Sequence, residues 1–207
     1  MSETLKLIEA LGSKICHDLA GLIGTIDNCL GLLDSDNKII GEQAKNLALQ
    51  ESKNLVKHIK FFRSTYGLVE NESRLSIIDI VNTLKDFFNN SKIKFNAHIM
   101  DNLLSINAHM AKVAYCLVSI ASENIGFEGS IDLYINEEND TLFKIQSNGR
   151  NFHLKHGSFV VLSGDMAEPL TITNCREHYV SNICNEYGYK LSVSKDGGST
   201  EYFVIKS

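Results

Sequence analysis

His17 and Asp18 stand side by side in the run Cys16-His17-Asp18-Leu19-Ala20-Gly21-Leu22-Ile23-Gly24, inside a long helical pattern. The apolar residues Ile8, Leu11, Ile15, Leu19, Leu22, Ile26, Leu30 and Leu33 recur three and four apart and define one stripe. At about 100° of rotation per residue, His17 points away from that stripe, toward solvent. A neutral imidazole exposed on a rigid helix beside a carboxylate is suited to accepting a phosphoryl group and passing it on. A ring nitrogen attacks phosphorus in line through a loose transition state, so the protein has mainly to position the reactants and stabilise charge. An imidazole ordinarily titrates near ~6.5 and is mostly unprotonated, hence nucleophilic, at cytoplasmic pH. Asp18 can hold the proton of one ring nitrogen and leave the other free.

The face that carries His17 is lined by small residues: Ala10, Ser13, Ala20, Gly21, Gly24, Asn28 and Gly31. A glycine in a helix interior costs about 1 kcal/mol relative to alanine. Several on one face are costly unless another backbone must come close. The strip reads as a docking groove for a helix of a partner protein. Tight packing within the protein's own bundle is the competing reading, and the histidine at the centre favours docking.

Two long helices must position these residues. Residues 3–34 form the first, ended by the turn cluster Asp34-Ser35-Asp36-Asn37. Residues 41–69 form the second, with a seam through Ala48, Ser52, Leu55, Ile59, Phe62, Tyr66 and Val69. A short turn between them makes an antiparallel hairpin. Ile23, Leu32, Leu49, Val56 and Phe61 lie outside the seams and need cover. A second copy of the chain supplies it most economically, giving a homodimeric four-helix bundle. Cover from the C-terminal half of the same chain is the alternative.

The polar stretch Glu70-Asn71-Glu72-Ser73 separates this hairpin (1–70) from a second domain (75–207). There the pattern predicts a helix over 76–89, a strand over 92–99, a helix over 107–125, and strands over 130–136 and 141–147 turned at Glu137-Glu138-Asn139-Asp140. Residues 152–163 are ambiguous. A helix follows from Asn174 to about Tyr187, with Glu177 placed to complete a capping box and Gly188 as its stop. A last hairpin joins 189–195 to 201–206 over Asp196-Gly197-Gly198. The class is α+β, a sheet with helices on one face.

The 207 residues carry a formal net charge of -5 with no basic run, which argues against nucleic-acid partners. No apolar stretch reaches the roughly 18 residues of a membrane span, and five scattered cysteines suit a reducing cytoplasm better than a disulfide framework. Cys175, His178 and Cys184 have ligand chemistry but not the spacing of a common zinc framework.

The pattern His17-Asp18-Leu19-Ala20-Gly21, with Ile23-Gly24 and Asn28, resembles the phosphoacceptor helix of the ChpT-type bacterial histidine phosphotransferases. Ala48-Leu49-Gln50-Glu51-Ser52 and Phe61-Phe62-Arg63-Ser64-Thr65-Tyr66-Gly67 resemble that family's second helix. Leu22 stands where the family usually has proline. The resemblance implies a dimeric four-helix bundle followed by a histidine-kinase-like, degenerate Bergerat-type α/β sandwich. It implies no cofactor in this chain, with magnesium carried by the partner's receiver domain. Kinase asparagines for magnesium and phosphate match Cys116 and Ile120 here, and the adenine-binding Asp-x-Gly-x-Gly turn matches Ser147-Asn148-Gly149-Arg150-Asn151. The implied function is a relay: phosphoryl passes from the receiver of a CckA-type hybrid kinase to His17, then to CtrA-type and CpdR-type response regulators. Ser13, Ala20, Gly21, Gly24, Asn28 and Arg63 are the expected partner-binding residues. An ATP-dependent histidine kinase core and a non-catalytic receiver-binding scaffold are the alternatives.

Overall fold

The computed structural model describes residues 2–70, 72–100, 103–126, 128–136, 141–150, 153–154, 156–164, 168–196 and 198–207. Two long helices, α1 (Glu3–Leu30) and α2 (Lys38–Tyr66), form an antiparallel hairpin. Ser2 caps α1, its hydroxyl accepting the N–H of Leu5, and Asn37 caps α2 by accepting from Ile39. α1 stops four residues before the expected end. The N–H groups of Leu32 and Leu33 turn back to the carbonyls of Cys29 and Leu30, tightening the last turn. α2 begins three residues early, with Asn37 as its cap. Leu22 leaves α1 unbroken through the position where proline would loosen it.

After the hairpin come β1 (Arg74–Ser76), α3 (Ile77–Phe88), β2 (Lys92–Ile99), β3 (Ser105–Asn107) and α4 (Ala108–Asn124). Then follow β4 (Glu128–Ile135), β5 (Thr141–Asn148), α5 (His156–Leu162), α6 (Cys175–Glu186), β6 (Tyr189–Asp196) and β7 (Ser199–Lys206). Five strands form one sheet in the order β2-β4-β5-β7-β6, antiparallel except for the parallel β2–β4 pair. β1 and β3 pair as a separate two-stranded ribbon that the periodicity did not predict. The turn expected at 137–140 lies outside the described residues, as does Gly197 of the last hairpin.

The sheet alternates as a one-sided sheet should. Ile131, Leu133, Ile135, Phe143, Ile145, Tyr202 and Val204 are buried, whereas Asp132, Tyr134, Lys144 and Glu201 lie between them on the open face. α4 packs on β4 and β5, α5 and α6 on β6, and α3 on β2. α4 is covered on nearly every side, by the sheet, by α2 and by α6. The capping box expected at the start of α6 does not form. Asn174 Oδ1 accepts from the N–H and hydroxyl of Thr171 instead, and Glu177 is buried, its carboxyl raised above the ordinary range by that burial.

The hairpin and the second domain share a core at one end. Phe61 of α2 is buried, stacked on Phe87 at 4.1 Å between ring centroids and edge-on to Tyr115. Tyr179 donates to the carbonyl of Thr65 at 3.2 Å. Phe61 is therefore covered within the chain, a correction to the expectation that it needs a second copy. The far end of the hairpin is different: its only buried cluster is Cys29, Ala44 and Ala48. Ile8, Leu30 and Leu33, expected in the α1 seam, are exposed, as are Ile23, Leu32, Leu49 and Val56. Three small buried residues cannot supply the core that this much apolar surface would otherwise join.

Candidate functional site

His17 lies near the middle of α1 with 82% of its side chain exposed. Its Nδ1 is 3.3 Å from Asp18 Oδ1. A carboxylate only accepts, so this contact places the proton on Nδ1 and leaves Nε2 with its lone pair open. Asp18 is itself held: Lys14 Nζ lies 2.7 Å from the same oxygen, one helical turn back. An i,i+4 pair on a helix contributes only a few tenths of a kcal/mol, and a lysine N-terminal to the acid is the weaker orientation. Helix stability alone therefore does not account for Lys14 at this position.

Lys14 also reaches out of α1. Its Nζ lies 3.7 Å from Glu123 Oε1 in the last turn of α4. Glu123 takes both oxygens to Arg176 of α6, at 2.8 Å from NH1 and 2.5 Å from NH2. Arg176 is buried, and its NH1 also donates to Ser119 Oγ at 3.3 Å. Burial alone would lower the guanidinium pKa, but hydrogen bonds and charge from Glu123 outweigh it and raise it. His17, Asp18, Lys14, Glu123 and Arg176 thus form a continuous line from the open face of α1 into the second domain. Sequence reasoning found the first two only. Lys14 carried a local signal, its i,i+4 spacing to Asp18. Glu123 and Arg176 carried none, because only the fold brings residues 14, 123 and 176 together.

Of the expected partner-binding residues, Ser13, Ala20, Gly21, Gly24 and Asn28 are all exposed on α1 beside His17. A Cβ added at Gly21 or Gly24 meets nothing within 4 Å. These glycines are not required by any packing within the chain, so the face is open to another molecule. Thr25 donates its hydroxyl to the Gly21 carbonyl at 3.0 Å, keeping its own side chain on the helix. Arg63 is placed elsewhere. With Lys57, Lys60 and Ser64 it lines a cleft of about 660 Å3 closed by Thr83, Asp86, Phe87 and Asn89, and no residue of α1 contributes to that cleft.

The positions that the family resemblance matches to nucleotide-binding residues are packed within the second domain. Cys116 and Ile120 are fully buried on α4; the Cys116 thiol faces the Arg176 carbonyl at 3.8 Å and is pushed up to about 12 by burial. Ser147 is buried and donates to the Thr200 carbonyl. Gly149 lies so close to the end of α4 that a Cβ there would be 2.6 Å from Ile125 Cβ. Asn151 lies outside the described residues. Among the described residues, no group of three or more His, Cys, Asp or Glu is disposed to hold a metal ion.

Residues 78–199 match the family described as "Histidine phosphotransferase C-terminal domain". The chain is 26% identical over 192 residues to "Protein phosphotransferase ChpT" of Brucella abortus (strain 2308), covering 91% of this chain and 90% of that protein. Its fold is similar to that of a solved bacterial phosphotransferase, with a TM-score of 0.84, 22% identity, and 99% and 98% of the two chains covered. The histidine kinase ThkA, solved in complex with the response regulator protein TrrA, overlays with a TM-score of 0.52 and 15% identity, over 98% of this chain and 63% of that one.

The open face makes a direct stability prediction. Gly21→Ala and Gly24→Ala should each stabilise the chain by roughly 0.5–1 kcal/mol, since alanine gains helix propensity and meets no neighbour. Urea unfolding at equilibrium measures this. A loss of stability in either variant would show that the face is packed in solution.

Proposed function

This chain belongs to the ChpT-type histidine phosphotransferase family, and from that premise we propose that His17 is its phosphoacceptor, taking phosphoryl from a receiver aspartate and returning it to another. The observation that carries this reading is the geometry at His17: Nδ1 engaged by Asp18, Nε2 bare and facing solvent on a helix face of small residues.

In the forward step the Nε2 lone pair attacks the phosphorus of an aspartyl phosphate. The N–P bond forms, the P–O bond to the aspartate breaks, and the carboxylate leaves with the electron pair. No proton has to be removed from Nε2, because the proton is on Nδ1. The ring becomes cationic as the bond forms, and the Asp18 carboxylate at 3.3 Å stabilises that charge. The return step reverses each event. Ser13, Ala20, Gly21, Gly24 and Asn28 admit the receiver, whose own site supplies the magnesium ion. Donors of the CckA type and acceptors of the CtrA and CpdR types are the partners the family resemblance suggests, and such partners place the chain in the cytoplasm. Among the described residues no helix is long and apolar enough to cross a membrane.

The buried state of Cys116, Ile120 and Ser147 supports a relay fed by other proteins over an ATP-dependent kinase. The apolar residues left open on the hairpin, among them Leu5, Ile8, Ile23 and Leu30 on α1 and Leu49, Val56 and Ile59 on α2, support a homodimeric four-helix bundle.

Two measurements check this reading. Incubated with a receiver phosphorylated on aspartate, the wild-type chain should become labelled and His17→Ala should not; equal labelling would overturn the assignment of His17. ATP alone should label neither, and labelling of the wild type by ATP would favour the kinase alternative. In sedimentation equilibrium the chain should run at about twice its 23.1 kDa mass at micromolar concentration, whereas a monomer would overturn the dimer.

A further inference from the structure

The hydrogen bond from His17 to Asp18 is made by neighbours on one helix, and both side chains can turn toward water instead. A restraint on Asp18 comes from Lys14 of the same helix, which also contacts the second domain. Lys14 spans Asp18 at 2.7 Å and Glu123 at 3.7 Å, and Glu123 is locked by two contacts to the buried Arg176. The four charges alternate in sign along the line: Asp18 negative, Lys14 positive, Glu123 negative, Arg176 positive.

Local helix energetics gives two of these residues little or no reason to stand where they do. Lys14 precedes Asp18 by four residues, the weaker order for an intrahelical pair. Glu123 lies in the last turn of α4, where the helix dipole opposes a carboxylate, and α4 has no basic residue in that turn. Both placements make sense as a contact across the two domains. The two ends of the line differ in exposure: the side chains are 82% exposed for His17, 23% for Asp18, 19% for Lys14, 35% for Glu123 and 8% for Arg176. The line therefore starts at an exposed surface group and ends at a buried one.

We propose that Glu123 and Lys14 are positioning residues for the acceptor: the second domain holds the Lys14 ammonium on Asp18, and so keeps Asp18 aimed at Nδ1 of His17 with Nε2 bare. This rests on the reading of His17 as phosphoacceptor and assigns the second domain a part in it. A domain whose counterparts of nucleotide-binding residues are packed within it thereby still acts on the histidine, through an ion pair in place of a bound nucleotide. Any displacement of α4 from α1 loosens Asp18 and lets the ring proton redistribute to Nε2, which removes the nucleophile.

The decisive readout is the tautomer of neutral His17, taken from long-range proton–nitrogen spectra of the full chain labelled in its histidines. Wild type should be mainly the Nδ1–H form. Lys14→Met and Glu123→Gln should each move His17 toward the Nε2–H form. Each should also slow transfer from a phosphorylated receiver by about fivefold, the value of one partly exposed ion pair, without changing receiver affinity. The double variant should be no slower than the slower single one, since the two residues act in series. Lys14→Met leaves the Glu123–Arg176 pair intact and carries the test if Glu123→Gln does not fold. A wild-type tautomer in Lys14→Met overturns the positioning role, whether or not the chain transfers phosphoryl. A tautomer that shifts in a chain no receiver labels supports the positioning role and counts against the acceptor reading alone.

Discussion

Asp18 Oδ1 receives two donors, the Nδ1–H of His17 at 3.3 Å and the Lys14 ammonium at 2.7 Å. The shared oxygen ties a solvent-exposed imidazole to the rest of the protein, and the chemistry at Nε2 depends on it. An exposed histidine without such a tie samples both tautomers and many rotamers, and only a fraction of encounters would find the lone pair correctly presented. Helix α1 meets the opposite requirement by giving up packing on that face. Its glycines have no neighbours, so the ring is held from one side and approachable from the other.

This division explains the lopsided architecture. One end of the hairpin is fused to the second domain through Phe61, Thr65 and Tyr66, which pack with Phe87, Tyr115 and Tyr179. The other end keeps only a minimal core of Cys29, Ala44 and Ala48. The fused end brings α4 and α6 beside Lys14, and the sheet beneath α4 fixes their height. The second domain has the histidine-kinase-like arrangement of strands and helices, and Cys116 and Ile120 of α4 are fully buried in it. The same helix presents Glu123 to the hairpin from its final turn.

Much of this was legible in the sequence. Alternation located β2, turn residues between strand-like runs located β4, β5, β6 and β7, three-four spacing located α1 to α4, and Asn174 and Gly188 bounded α6, because each of these signals is local in the chain. β1 and β3 were not legible. Three residues cannot display a period, and Ser105–Asn107 becomes a strand only because Arg74–Ser76 lies opposite it. The Asn174 cap failed as an expectation because the side chain had a nearer donor in Thr171. At the site, His17, Asp18 and the small-residue face are contiguous on one helix and could be read directly. Arg63 could not be placed, since the turn of α2 that faces α3 rather than α1 is a matter of packing. The line through Glu123 to Arg176 joins three distant segments and leaves no periodic trace.

The central claim is that Nε2 of His17 carries the phosphoryl group. Phosphorus NMR of the wild-type chain after exposure to a phosphorylated receiver, with tandem mass spectrometry of the same sample, tests it most directly. The account predicts one acid-labile, alkali-stable phosphoramidate resonance of the Nε2-linked type, located at His17. An acid-stable phosphate, an Nδ1-linked one, or a phosphoramidate on any other histidine would contradict it.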